Sequence, residues 1–547
     1  MKEEKSIHPK RVLYTLLALN FFLGIIVFIV MPGGSLNLGK NLELHFLSQH
    51  DLLHRDSTVV VDVDSVIADI QTIDTSVVAL DTLVNEESFD LSPNRMIQYP
   101  DNTRRALANF FESLFKTANE GELIRIVHYG DSQLEGDRIS DYLRNKFQLR
   151  FGGMGPGIVQ PIDISRSRIS IRQSESKDWS KFAIFGNTKR HDRGLYGIGC
   201  SSYAYTGEYL VKIGEDTVIN KVPYAPGSED STIIDSLKME VDQSKAVMAT
   251  DSFYLDTIIT PIYKTETTET SYLRYRVAKH SFPKVRQFEQ VRLLYASDNA
   301  FKVYTQVDGQ KKAIAVPEAS IMGISSIFTD TVRQQVLLSF TGPSPLIYGV
   351  ALDGKEGVAV DNFPMRGSSG TGYSMINHTL LRQQYTKTNT KLLILQYGIN
   401  VIPNPQKSYG YYERMFSREL KALKAANPDL SILIIGPSDM SRKRGGKYVS
   451  YPNVHLVRDA MKNAAFANDC AFWDLYEAMG GENSMVSWVT ADPALANKDF
   501  THFNSRGAAY VGEMIYAALV NDYQEYVKAK NSSSTADSTS TKVELKH

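Results

Sequence analysis

The sequence predicts an α/β domain on a parallel sheet, interrupted by an inserted all-β sandwich. Three observations carry that prediction. Apolar runs of strand length, Lys391–Gln396 (KLLILQ) and Leu430–Ile435 (LSILII), alternate with helical patterns at Tyr412–Ala426 and Val457–Ala467, as in a parallel sheet covered on both faces. From about Ser165 to Tyr348 the pattern changes to short β-branched or alternating runs broken by Gly, Pro, Asn and Asp, the signature of a sandwich. After Ile347 the α/β alternation returns, so 166–348 reads as an insertion between two parts of one domain, 99–165 and 349–526.

The chain has 547 residues, more than one ordinary domain, with 43% hydrophobic and 22% charged residues, as in globular proteins. Its formal net charge of -1 gives no reason to expect nucleic acid as a partner. At the start, Val12–Met31 is an uncharged apolar run preceded by Lys2, Lys5, Lys10 and Arg11. At about 1.5 Å per residue it spans roughly 30 Å, the depth of a bilayer core. The expectation is an uncleaved, single-pass transmembrane helix at 12–31, with 1–11 cytoplasmic and the rest periplasmic or extracellular. Residues 32–98, with few aromatics and scattered Asp, Ser and Thr, read as an extracytoplasmic stalk.

The elements of the α/β domain follow in order. Asn102–Glu120 places Leu107, Phe110, Phe111, Leu114 and Phe115 at helical spacing, so it predicts an amphipathic helix. Leu123–His128 reads as a strand and Arg138–Leu149 as a helix. In the insert, strands are expected at Ser201–Tyr205, Tyr209–Ile213, Tyr272–Val277, Val291–Tyr295, Phe301–Val307 and Gln335–Phe340. Gly357–Asp361 resumes the parallel strands, and Ser505 can cap a last helix over Arg506–Val520. The low-complexity end, 527–547, is expected to be disordered. Cys200 and Cys470, far apart, are expected to be buried free thiols.

Chemistry enters at 126-IVHYGDSQLEGDRI-139, where a buried strand ends on Gly130-Asp131-Ser132 and a helix-like segment follows. Functional groups of parallel sheets gather at the carboxyl ends of strands, and a helix N-terminus offers free N–H groups to a developing oxyanion. Alone, the tripeptide is explained as well by a helix cap. Three further segments favour a nucleophile. The stretch 499-DFTHFNSRG-507 supplies a base and its orienting carboxylate, Asp499 and His502, three residues apart. Gly398-Ile399-Asn400 follows a buried strand, and Gly367 lies in 362-NFPMRGSSG-370 after another; both can supply oxyanion donors. His128 lies within the strand and reads as a packed core residue. No G-x-S-x-G elbow, H-x-x-x-H, H-E-x-x-H or cysteine pair is present, so an α/β-hydrolase site, a metal and a cofactor are not expected.

The ordered set G-D-S, N-x-x-x-x-G, G-x-N and D-x-x-H resembles the four-block signature of the SGNH (GDSL-like) hydrolases. The resemblance covers about 99–165 and 349–526 and implies a flavodoxin-like three-layer domain. It also implies Ser132 as nucleophile, His502 as general base and Asp499 as its orienter. The oxyanion hole would be the Ser132 and Gly367 N–H groups with the Asn400 side chain. Block one reads GDSQ rather than GDSL. Block three reads G-I-N-V, without the aspartate that often follows the asparagine.

An all-β insertion between the first and second blocks is similar to the plan of bacterial peptidoglycan O-acetylesterases, whose insertion resembles a carbohydrate-binding module. Tyr203, Tyr205, Tyr209, Tyr272 and Tyr275 are then either sugar-facing aromatics or strand packing. The basic stretch 441-SRKRGGKY-448 is either a solvated loop or a contact for an anionic glycan. The function expected is a membrane-anchored serine esterase removing acetyl or short acyl groups from an envelope polysaccharide such as peptidoglycan. An O-acyltransferase with the same triad and a membrane acyl-donor partner is the alternative, and a glycan-binding scaffold the third reading.

Overall fold

The computed structural model describes residues 35–39, 42–45, 91–163, 168–223, 253–268, 270–307, 310–328 and 331–540. Residues 12–31 and most of the expected stalk lie outside them. Among the described residues no helix is long and apolar enough to cross a membrane.

Five parallel strands form the central sheet, in the spatial order Gly357–Pro364, Leu123–Gly130, Thr390–Gln396, Ser431–Ile435, Ala471–Trp473. Numbered along the chain this is 2-1-3-4-5, the flavodoxin-like arrangement. The order reverses between the first and third strands, which is where a crevice opens at their carboxyl ends. Strand side chains alternate between two cores. Ile124, Ile126, Val358, Leu392 and Leu433 face the helices Arg105–Glu120, Arg138–Phe151 and the start of Ser505–Ser540. Val127, Tyr129, Leu393, Leu395 and Ile434 face His378–Lys387, Gly410–Ala426 and Val454–Phe466. Continuous apolar strands are therefore explained by burial on both sides.

The insertion is a sandwich of two antiparallel sheets. The five-stranded sheet holds Ile171–Glu175, Ser271–Val277, Phe301–Val307, Gln310–Val316 and Gln335–Phe340. The six-stranded sheet includes Ser201–Tyr205, Gln290–Ser297 and Leu346–Asp353. Its pairing extends beyond the 166–348 bounds expected from sequence. Gly157–Val159 pairs with Leu346–Asp353, so the antiparallel structure runs from Gly157 to Asp353. A three-residue strand is too short to show alternation, which hides the boundary. The expected strand Tyr209–Ile213 lies outside both sheets, in a two-stranded ribbon, Glu208–Pro223 with Phe253–Thr267.

The sandwich is fused to the α/β domain. Leu293, Tyr295, Ile347 and Val350 fill the space between its sheets, while Leu294, Ala296, Tyr348 and Ala351 turn outward into the core under the parallel sheet. A buried ion-pair network bolts the join: Arg125 reaches Asp353 and Asp361 at 2.5 Å each, and the Ile158 N–H donates to Asp361 at 2.7 Å.

Both flanks of the domain depart from expectation. Residues 91–98, read as stalk, are part of it: Leu91 and Ile97 pack on the core, Gln98 pairs with Phe472, and the Trp473 Nε1–H donates to the Arg95 carbonyl at 2.9 Å. The last helix extends to Ser540, where disorder was expected from 527. Tyr526 and Lys530, one helical turn apart, both bond Glu112 and hold this extension on the Arg105–Glu120 helix. Cys200 and Cys470 are buried free thiols.

Candidate active site

The Leu123–Gly130 strand ends where its backbone must pass between its neighbours. A Cβ on Gly130 would lie 2.7 Å from Leu134 and 2.8 Å from the Gln396 carbonyl, so only glycine fits. Asp131 then caps the turn Ser132–Asp137 by accepting from the Gln133 N–H at 3.0 Å. The cap is thus Asp131, which leaves the adjacent Ser132 hydroxyl free for another partner. Burial pushes the Asp131 carboxyl up to about 7, against its hydrogen bond from Gln133.

Ser132, half-buried, presents its Oγ 2.8 Å from His502 Nε2. His502 Nδ1 lies 2.8 Å from Asp499 Oδ2. A carboxylate only accepts, so Nδ1 carries the proton and Nε2 is left to accept from the serine hydroxyl. Partial burial raises the Asp499 carboxyl, but backbone N–H bonds from His502 and Thr501 and the His502 ring outweigh it and leave it below the usual range. The Asp499 side chain is nonetheless 49% exposed and that of His502 29%, so the relay is open to water.

The turn carrying Asp499 and His502 is held in shape from outside. Phe500 adopts φ +55, a left-handed conformation costing an ordinary residue roughly 1–2 kcal/mol. The Tyr448 ring stacks on it at 3.6 Å and 8°, and the Ser441 N–H donates to its carbonyl at 3.1 Å.

The second and third blocks converge beside the first. The Met365 N–H donates to the Gly130 carbonyl at 2.7 Å, and the Asp131 N–H to the Gln396 carbonyl at 3.3 Å. The Asn400 side-chain amide donates to Ser368 O at 2.9 Å, which ties block three to the residue after Gly367 and leaves its second amide hydrogen available. Among the described residues the N–H groups of Ser132 and Gly367 have no acceptor. Phe185, from the insert, packs near Gly367 and adds an aromatic wall. The arrangement can take a proton from a serine hydroxyl and offer N–H donors to an oxyanion.

Two residues that sequence reasoning passed over hold this geometry. Gln133 donates to the Thr501 carbonyl at 2.8 Å and accepts from the Phe503 N–H at 3.3 Å, bracketing His502. Arg138 donates to the Phe503 carbonyl at 2.8 Å and the Ser132 carbonyl at 3.2 Å, linking the segments that carry Ser132 and His502. The departure from GDSL at Gln133 was the available signal, because a buried amide needs hydrogen-bond partners. His128 is buried against Ser140 at 3.0 Å, and burial depresses it to about 3, as fits a core residue. Of the tyrosines, Tyr203, Tyr205 and Tyr275 are buried in the sandwich core, which removes them as sugar-facing aromatics.

No protein-family model and no curated protein matches the sequence. Among solved structures, a peptidoglycan O-acetylesterase superposes with a TM-score of 0.53 at 18% identity, over 78% of this chain and 99% of that one. An acetyl xylan esterase (TM-score 0.21, 14% identity, 29% of this chain and 81% of that one) overlaps too little to carry weight. The same holds for a family two carbohydrate esterase from Clostridium thermocellum (0.21, 8%, 47% and 94%). The chain is thus similar in structure to a peptidoglycan O-acetylesterase and shares its fold, a parallel α/β domain with additional antiparallel sheets.

Proposed function

We propose that this chain is a serine esterase that removes acetyl or other short acyl groups from a cell-envelope polysaccharide such as peptidoglycan, anchored to the membrane through residues 12–31. The observation that carries the reading is the continuous hydrogen-bond chain from Ser132 Oγ through His502 to Asp499. Its support in kind is the fold shared with a peptidoglycan O-acetylesterase.

In this reading Ser132 Oγ attacks the ester carbonyl while His502 Nε2 takes its proton. The oxyanion is held by the N–H groups of Ser132 and Gly367 and the Asn400 amide. Collapse expels the sugar hydroxyl, protonated by His502, and leaves an acyl-serine. Water, deprotonated by His502, releases the acid and restores the serine. Asp499 keeps the imidazole in the Nδ1–H tautomer and balances its charge. The half-exposed Asp499 and partly exposed His502 favour water over a sugar hydroxyl as the second acceptor, and so esterase over transferase.

Release of acetate from O-acetylated peptidoglycan and from a small chromogenic acetyl ester tests the reading. Ser132→Ala is expected to lower both rates by about 10⁴ or more. Retention of more than about a tenth of the rate would overturn it.

A further inference from the structure

The basic stretch near residue 445 is neither a loop nor remote from the relay. Ser441–Arg444 and Lys447–Ser450 form a two-stranded hairpin around Gly445-Gly446, whose φ values of +56 and +82 suit a tight turn. Its base is closed by the Tyr451 N–H donating to Met440 O at 2.9 Å, and by Ser450 and Asn483 bonding each other. Its tip carries Lys443, Arg444 and Lys447, all exposed, with no ion-pair partner among the described residues. Arg442 lies over the Tyr451 ring instead. Ten residues thus hold four cations and no acid, in a chain whose net charge is -1.

The hairpin's placement gives these charges a direction. Tyr448, 38% exposed, stacks on Phe500, which lies between Asp499 and His502. In the hairpin register Lys443 is opposite Tyr448, and directly opposed residues share a face. Lys443 therefore shares the face that docks on the catalytic turn, while Arg444 and Lys447, the next pair in the register, stand on the opposite face beside the tip, so a bound strand would wrap the hairpin end. An uncompensated cation cluster rigidly mounted on a relay turn raises the local concentration of anionic substrate there.

We propose that the Ser441–Ser450 hairpin is a substrate subsite for a carboxylate-bearing glycan, with Lys443, Arg444 and Lys447 contacting carboxylates on sugars flanking the reacting ester. The inference rests on the esterase reading and narrows its substrate to acidic over neutral polysaccharide.

The test is a binding measurement on the full chain carrying Ser132→Ala, so that no turnover occurs. The probe is soluble peptidoglycan strands, either with free carboxylates or with the carboxylates converted to amides. Free strands are expected to bind roughly ten-fold tighter than amidated ones, with the difference lost in the further variant K443Q/R444Q/K447Q, since each exposed pair contributes a few-fold at most. The difference should also shrink at about 0.5 M salt, where the Debye length falls to a few ångströms. Equal affinity for free and amidated strands, or a glutamine variant that keeps the preference, overturns the proposal. The amidation arm uses an unaltered hairpin, so the answer does not depend on the variant folding. Because binding is read without turnover, failure of the wild-type chain to hydrolyse an acetyl ester would defeat the esterase reading separately.

Discussion

The carboxyl edge of the parallel sheet and the interior of the sandwich are both rich in polar side chains, yet they treat them in opposite ways. At the edge, Ser132, His502, Asp499, Gln133 and Arg138 are joined by hydrogen bonds, and all but the buried Gln133 are left partly open. In the sandwich, tyrosines are buried for their rings. Tyr203, Tyr205 and Tyr275 fill the core, and the Tyr275 hydroxyl has no partner among the described residues. The difference teaches that residue type alone does not mark a site. A functional group is recognised by what orients it, whereas a packed one can leave its polar atom idle.

Substitutions can sharpen this contrast. The largest effect after loss of the nucleophile is expected at Asn400. Asn400→Ala should lower kcat on a small acetyl ester by about 10²–10³, with KM little changed, as for other oxyanion donors. A near-normal kcat would leave Asn400 as a tether for Ser368 alone.

Asp499→Asn comes next. In a buried triad this change costs about 10⁴ through the wrong tautomer. Here the carboxylate is half exposed and solvent screens it, so a loss nearer 10² in kcat is expected, measured in the same assay. A rate equal to wild type would show that Asp499 does not orient His502.

At the same edge, Asp131 should make stability pH-dependent. Its folded carboxyl titrates near 7, raised above the unfolded value by burial, so the native state loses stability as pH rises from about 4 through 7. Asp131→Asn removes that loss. The melting temperature of the variant relative to wild type should climb across this window and level off above it. A constant difference from pH 4 to 8 would contradict the burial argument.

The smallest effect is expected in the sandwich. Tyr275→Phe removes a buried hydroxyl without a partner among the described residues and keeps the ring, so stability should hold or rise by about 1 kcal/mol in denaturant unfolding. Turnover per folded molecule should not change. A loss above about 1 kcal/mol would mean that the hydroxyl is satisfied by bound water.

How much of this was legible in the sequence follows the same division. The covered parallel sheet could be read because KLLILQ and LSILII are apolar on both faces and alternate with helical patterns, while its flavodoxin-like order came from the family resemblance. The residues of the relay could be named because G-D-S, N-x-x-x-x-G, G-x-N and D-x-x-H occur in one order that resembles the SGNH signature, whereas G-D-S alone reads equally well as a helix cap. The sandwich's second role, packing against the α/β domain, was hidden because Leu293-Leu294-Tyr295-Ala296 is apolar at every position. Such a run shows that both faces are covered, not by what. The last helix was misjudged because its composition is that of a disordered tail, while its anchor, Glu112, lies some 400 residues earlier in the chain. Gln133 and Arg138 were missed for a related reason: their partners, Thr501 and Phe503, are adjacent only after folding.

The most direct measurement of the central claim is capture of the acyl-enzyme. The full chain is quenched with acid during turnover of an acetyl ester, and its peptides are weighed by mass spectrometry. The account predicts an acetyl group on the peptide carrying Ser132, absent from Ser132→Ala and not formed by His502→Ala, which lacks the base. Sustained turnover by Ser132→Ala, or an acetyl group carried on another residue during turnover, would contradict it.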